Sequence, residues 1–371
     1  MTIRLAEHLM SPPVLSACRL IMLTVFAATL TAAGPKDPQR PQSPSARYRQ
    51  HQNLMIVRGA HGKSRPVTSP ADWKVRRKHV LDGMQRVMGS LPGKPFRVPL
   101  AMKVLETTRI GPIIRRKITF RSDPSGRVAA YLFLPPGTKQ PAVLCLQQTH
   151  RPGKVEAAGI SGNPDLAYAS HLAKRGYVTL APDYPGFGES TYDFAARHGY
   201  HSGTMKAIWD NIRAVDLLQT LPEVDGDRIG VIGHSLGGHN AMFTAAFDQR
   251  LRVIVSNCGF TRFHKDDVPS WTGPRYMPLI KTRFGNDAER VPFDFPEIIG
   301  LFAPRPFLAI AARKDRDFDF TGVADSLDAA RPVYRLFKAT AHLQGHFPDI
   351  GHSFPKTARE VAYRFLDKHL K

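Results

Sequence analysis

Short, nearly uninterrupted apolar runs punctuate this chain at residues 142–146, 177–181, 229–232, 251–256 and 307–311. Runs of that length, apolar on both alternating sides, predict strands buried on both faces of a sheet. Between them the apolar positions recur at helical spacing, as with Ile208, Ile212, Val215 and Leu218 inside 205–221. Helices are predicted in the same way at 165–175, 322–337 and 356–370. Earlier, Ser69-Pro70-Ala71-Asp72 reads as a helix start, with serine as the cap and proline in the first turn. Val80, Met84, Val87 and Leu91 continue that helix until Leu91-Pro92-Gly93. Residues 113–120 and 127–134 flank the turn Asp123-Pro124-Ser125-Gly126 and predict an antiparallel hairpin. Strands alternating with helices predict an α/β fold with a mostly parallel central sheet covered by helices on both faces.

Two stretches break this pattern. The first precedes the domain. Residues 20–30 are an apolar run behind Arg19, followed by Thr31-Ala32-Ala33-Gly34. The run is too short to span a bilayer and resembles the core of a secretory signal over residues 1–33. Residues 34–69, rich in Pro, Gln, Ser and Arg, read as a flexible linker. The domain itself is expected over 70–371. The second irregular stretch, about 259–304, carries Trp271, Tyr276, Phe284, Phe293 and Phe295 among several prolines. It precedes the late strands and reads as a cap overhanging the strand ends, where open α/β sheets place their sites.

With 371 residues and 42% hydrophobic content, the chain can bury a sizeable core. The formal net charge of +21 raises nucleic acid as a partner. The basic residues are spread over the whole chain, and no nucleic-acid-binding motif accompanies them, so the charge reads as solvated surface. Three cysteines are too few for a disulfide framework. Cys145 and Cys258 sit in apolar runs that read as buried strand, where cysteine behaves as a small hydrophobe. No paired-Cys cluster, dinucleotide fingerprint or P-loop is present, so neither a metal nor a cofactor is expected.

The chemistry concentrates at Arg228 to Gly238, which reads R-I-G-V-I-G-H-S-L-G-G. A β-branched run turns sharply at Ser235 and enters a small-residue helical pattern. A serine at such an apex projects its hydroxyl away from the backbone, and the helix behind it offers unpaired N–H groups to a developing oxyanion. Gly233-x-Ser235-x-Gly237 resembles the nucleophile elbow of the α/β-hydrolases, in which the order along the chain is serine, acid, histidine. A serine needs a base, and the base needs an orienting group. The strand 307–311 leads into Ala312-Arg313-Lys314-Asp315-Arg316-Asp317-Phe318-Asp319. Asp315, nearest the strand end, is favoured as the acid over Asp317 and Asp319. Gly351-His352-Ser353-Phe354 precedes the last helix, and His352 is favoured as the base over His346. His234 and His239 flank the serine and read as shaping the elbow. The oxyanion donors expected are the N–H groups of Leu236 and Thr149, with Gln148 close behind.

Further stretches extend the resemblance over roughly 70–371. They are Cys145-Leu146-Gln147-Gln148-Thr149, Arg175-Gly176-Tyr177, Ala181-Pro182-Asp183-Tyr184-Pro185-Gly186-Phe187-Gly188, Ala303-Pro304-Arg305-Pro306 and Gly351-His352-Ser353-Phe354-Pro355. Together they resemble the dienelactone hydrolase and acetyl xylan esterase-like branch of the α/β-hydrolases. The resemblance implies Ser235 as nucleophile, Asp315 as acid and His352 as base. The chain departs from many members of that branch in carrying Gln147-Gln148 where His-Gly is common, and in its Asp-rich loop.

The expectation is therefore a secreted or periplasmic serine esterase acting on a small-molecule or carbohydrate ester, with no nucleic-acid partner and no stable membrane anchor. A peptidase of the prolyl oligopeptidase type would keep the triad and change the bond. No repeats precede the domain to build a propeller, which counts against it. A catalytically inactive binding module on the same scaffold is the remaining alternative.

Overall fold

The computed structural model describes residues 48–59 and 63–371, all within one compact unit spanning Ser43–Lys371. The expected signal segment lies outside the described residues. In chain order the strands are β1 (Ile56–Arg58), β2 (Ser64–Pro66), β3 (Lys103–Ile110), β4 (Ile113–Arg121), β5 (Arg127–Leu134), β6 (Gln140–Leu146), β7 (Val178–Pro182), β8 (Val224–His234), β9 (Leu251–Asn257), β10 (Phe307–Ile310) and β11 (Leu343–His346). The helices are α1 (Pro70–Met88), α2 (Tyr168–Lys174), α3 (Gly203–Thr220), α4 (Leu236–Phe247), α5 (Leu279–Phe284), α6 (Phe295–Gly300), α7 (Phe320–Leu336) and α8 (Lys356–Leu370).

Nine strands form one sheet in the order β11-β10-β9-β8-β6-β7-β5-β4-β3. From β7 to β11 the pairings are parallel; β3, β4 and β5 run antiparallel at one side. The fold class is the expected α/β-hydrolase one. Successive residues of the buried strands feed two different cores. Ala142, Leu144 and Leu146 join the cluster containing α3, α4 and α7, while Val143 and Cys145 join the one containing α2 and α8. A strand with helices on both faces must be apolar at every position, which is why these segments read as unbroken hydrophobic runs.

Several boundaries differ from the sequence expectation. Ser69 caps α1 in a capping box with Asp72, as expected, but the helix stops at Met88 because Gly89 takes φ 92; Leu91 lies beyond it. The expected helix at 165–175 is shorter: a 3-10 turn at Pro164–Leu166 precedes α2. Strand β3 went unread because it is an exposed edge strand whose side chains lack a buried face, and β11 because Leu343 is the only large apolar side chain in its Leu-Gln-Gly-His run.

The linker reading of 34–69 fails for its second half. Leu54, Val57 and Val67 are buried, and β1 pairs with β2. His51 Nδ1 lies 2.8 Å from Glu297 Oε2, and Arg76 of α1 meets the same carboxylate. A few well-spaced apolar side chains and one buried ion-paired cluster hold this polar stretch against α1 and α6.

The stretch expected as a cap contains two 3-10 turns, α5 and α6. Phe293 and Phe295 are fully buried and make stacked and edge-to-face ring contacts with Phe243, Phe260 and Phe263. These aromatics pack as core. Trp271, buried against Phe263 and Phe295, and the half-buried Tyr276 also reach His239 on the elbow helix.

Candidate active site

Strand β8 enters the elbow and α4 leaves it, with Ser235 between them at φ 54 and ψ −122. A non-glycine residue in that region is strained and persists only where its surroundings impose it. Here the main chain imposes it. Ser235 N donates to Asn257 O at the end of β9 (2.9 Å), and Ser235 O accepts from Gly238 N (2.8 Å). The glycines permit the approach: a Cβ on Gly237 would lie 1.9 Å from Leu146 O, and one on Gly233 would lie 2.1 Å from Gly237 O. The start of α4 therefore packs directly on the end of β6, beside the loop carrying Thr149.

That loop is anchored from behind. Lys154, buried, donates from its main-chain N (2.9 Å) and from Nζ (2.7 Å) to the Asp183 carboxylate at the end of β7. Gln148 Nε2 donates to Glu156 Oε2 at 2.7 Å. Thr149 itself is exposed, and its hydroxyl lies 3.4 Å from that of Tyr276. Leu236 begins α4, so its N–H has no partner within the helix. Gln147 is buried, and neither end of its amide has a partner among the described residues.

Asp315 and His352 meet. His352 Nδ1 donates to the Asp315 carboxylate, 2.9 Å from Oδ2 and 3.0 Å from Oδ1. The Asp315 side chain is 1% exposed and that of His352 is 22% exposed. Burial alone would raise the Asp315 pKa, but hydrogen bonds from His352 and the Asp317 N–H hold it below its ordinary value. The other two aspartates occupy different positions. Asp317, 66% exposed, comes only within 3.7 Å of Nδ1. Asp319 caps α7, accepting from Thr321 N at 2.7 Å. His346, the alternative base, ends β11 and pairs with Ile310 in the ladder.

His352 sits beside the elbow through His234, whose ring centroid lies 4.7 Å from its own. Burial, followed by the proximity of His352, lowers the His234 pKa to about 3, so it stays neutral. Among the described residues the Ser235 hydroxyl makes no hydrogen bond; catalytic contacts of this type commonly tighten only when substrate binds.

Three neighbours escaped sequence reasoning. Asn257 Nδ2 donates to His234 Nδ1 (2.6 Å) and to Ser353 O (3.1 Å), tying the elbow to the base loop. Cys258 lies one residue past β9 at φ 46 rather than inside the strand. Burial and the Asp315 charge push its thiol pKa up to about 12. Asp266 accepts from Trp271 Nε1 at 2.8 Å, and burial raises its pKa to about 6. None lies in a motif; Asn257 and Cys258 are brought in by the end of β9, and Asp266 by the 3-10 turn Phe263–Lys265 that follows it.

Comparison with known proteins agrees with this architecture. The Bacillus subtilis protein YtaP is 27% identical over 80% of this chain and 99% of its own length. The 4-O-methyl-glucuronoyl methylesterase 1 of Wolfiporia cocos is 23% identical over 82% of this chain and 78% of its own. The glucuronoyl esterase structure from Solibacter usitatus superposes with a TM-score of 0.68 at 19% identity, covering 89% of this chain and 100% of that one. A model of the prolyl oligopeptidase family, within the α/β-hydrolase superfamily, matches residues 165–371, from α2 through the elbow to the last helix. More than half of the sequence thus fits one family, and the chain belongs to the prolyl oligopeptidase family.

Proposed function

We propose that this protein is a serine hydrolase of carboxylic esters, with Ser235, His352 and Asp315 as its triad and an acylated or uronic acid-bearing carbohydrate as substrate. The observation that carries the reading is the buried Asp315 carboxylate held on His352 Nδ1 at 2.9 Å, at the same sheet edge as the strained Ser235. With its Nδ1 proton fixed by Asp315, His352 presents the lone pair of Nε2. It takes the Ser235 proton as Oγ attacks the ester carbonyl, and Asp315 stabilises the imidazolium. The N–H groups of Leu236 and Thr149 receive the oxyanion. His352 then protonates the leaving alcohol, and a water released by the same base cleaves the acyl-enzyme.

Family membership fixes fold and leaves the bond open. The ester preference is supported by esterases such as these two among the relatives and structural neighbours. Tyr276, half-buried beside the elbow helix, supplies an aromatic face of the sort that stacks on sugar rings. The test is turnover of aryl acetates, acetylated xylan, glucuronate methyl esters and peptide amides by purified protein, alongside fluorophosphonate labelling. Labelling of Ser235 with ester turnover supports the reading. Amide turnover without ester turnover transfers it to a peptidase, and a folded protein that takes no label is a binding module. Export is tested separately: protein recovered from its host should begin near Gly34, and an intact leader on cytoplasmic protein would reject it.

A further inference from the structure

Behind the base, side chains from three strand ends converge on one point. Cys258 follows β9, Asp315 follows β10 and His352 follows β11, and one ligand atom of each lies within 4.8 Å of the others. A fourth donor stands close by: Asp317 Oδ2 lies 3.7 Å from His352 Nδ1. Hydrolysis as proposed above uses Asp315 and His352 but gives neither Cys258 nor Asp317 a part. A thiol, an imidazole and two carboxylates form a mixed sulfur, nitrogen and oxygen set. Calcium and magnesium take oxygen ligands, whereas zinc accepts all three types in a tetrahedron. Bonds of about 2.0–2.3 Å at tetrahedral angles put ligand atoms roughly 3–4 Å apart. The Asp315–His352 and Asp317–His352 separations are already 2.9 and 3.7 Å. His352 and Asp317 are partly exposed, which gives an ion a path in.

We propose that Cys258, Asp315, His352 and Asp317 form a site for a zinc-class divalent ion, and that its binding switches hydrolysis off. The ion forms bonds to Cys258 Sγ, His352 Nδ1 and the two carboxylates. The Cys258 S–H bond breaks and its proton goes to water. The proton on Nδ1 is displaced and Nε2 gains one, so the imidazole stays neutral and one proton is released overall. Nε2 then has no lone pair for the Ser235 proton. The binding step stands by itself, whereas the switch rests on His352 being the base of the proposed function.

Cadmium titration of the full-length protein tests the site without reference to activity, because a cadmium–thiolate bond adds a charge-transfer band in the ultraviolet. Wild type should show a saturable band, Cys258→Ser should lose it, and Asp317→Asn should keep it but need on the order of tenfold more cadmium. Zinc should inhibit ester turnover reversibly to chelator, and Cys258→Ser should need on the order of tenfold or more zinc for the same inhibition. No band in folded wild type overturns the site, and so does equal zinc sensitivity of Cys258→Ser. If Cys258→Ser fails to fold, an Asp317→Asn protein that binds cadmium as tightly as wild type overturns the four-ligand site. A band with undiminished turnover overturns the switch. Fluorophosphonate labelling of metal-free protein separates the two readings: no label at Ser235 with the band intact rejects the triad and leaves the site standing.

Discussion

Ser235 is held by main chain, and the Asp315–His352 pair is held by side chains. At the elbow, the N–H of Ser235 bonds Asn257 O and its carbonyl receives Gly238 N–H, while Gly237 brings α4 against the end of β6. Across the site, a buried carboxylate orients a half-exposed imidazole, and the Asn257 amide ties the base loop to the elbow. A second carboxylate, Asp317, waits 3.7 Å from the same nitrogen. Main-chain geometry has few alternatives, so the nucleophile side is fixed wherever the glycines and the strand are present. Side-chain geometry has competitors, so the acid–base side depends on which of several chemically equal groups is buried.

The largest effect that tests this contrast is Ser235→Ala. It removes one hydroxyl from a backbone that holds itself, so kcat on an aryl ester should fall by about 10⁶ while the melting temperature stays put. Retention of more than a few per cent of activity would break the assignment. Asp315→Asn comes next, with a loss of roughly 10⁴ in kcat from a mis-set tautomer, whereas Asp317→Asn should stay near wild type. The reverse order would move the acid to Asp317 and show that burial had not decided between them.

Asp266, on the acid–base side beside Asp317, sharpens the comparison through stability. Burial raises its pKa in the folded protein to about 6, from an ordinary carboxyl value of 3.8. The folded state therefore holds its proton more tightly than the unfolded one. Stability falls as pH rises through the window from about 4 to about 6, and a penalty on the order of 1–3 kcal/mol remains above it. Asp266→Asn, whose amide oxygen still accepts from Trp271, should be more stable than wild type to urea at pH 7.5 and equal to it near pH 3.5. Equal stability at both would show that the carboxylate is not strained. The smallest expected effect is Asp319→Ala, which removes the cap of α7 and should lower stability by about 1 kcal/mol with kcat unchanged. A large loss of kcat would mean that Asp319 serves the base after all.

The strands around the elbow were legible because burial on both faces selects unbroken apolar runs, and residues 142–146 of β6, 229–232 of β8 and 253–255 of β9 carry them. Ser69 and Asp72 announced α1 because capping is a local exchange of hydrogen bonds. Strand β3 is built of polar and exposed residues and is strand only because β4 pairs with it. The docking of 48–69 was hidden for a related reason. Its anchors, His51 and Arg76, are polar and become anchors only through Glu297 on α6.

The sequence by itself determined the elbow and its apical serine, because a strand, a serine between glycines and a helix are contiguous, and the backbone strain they create is local. It also determined that an acid should follow a late strand and a base should precede the last helix, since strand order fixes where the loops open. Only the tertiary structure decided that Asp315 is buried on His352, that Asp317 stays in solvent and that Asp319 caps α7. It alone brought Asn257 and Cys258 to the same place. Those outcomes depend on burial and on distances between the ends of β9, β10 and β11, and residues 258, 315 and 352 become neighbours only when parallel strands end at one edge of a sheet.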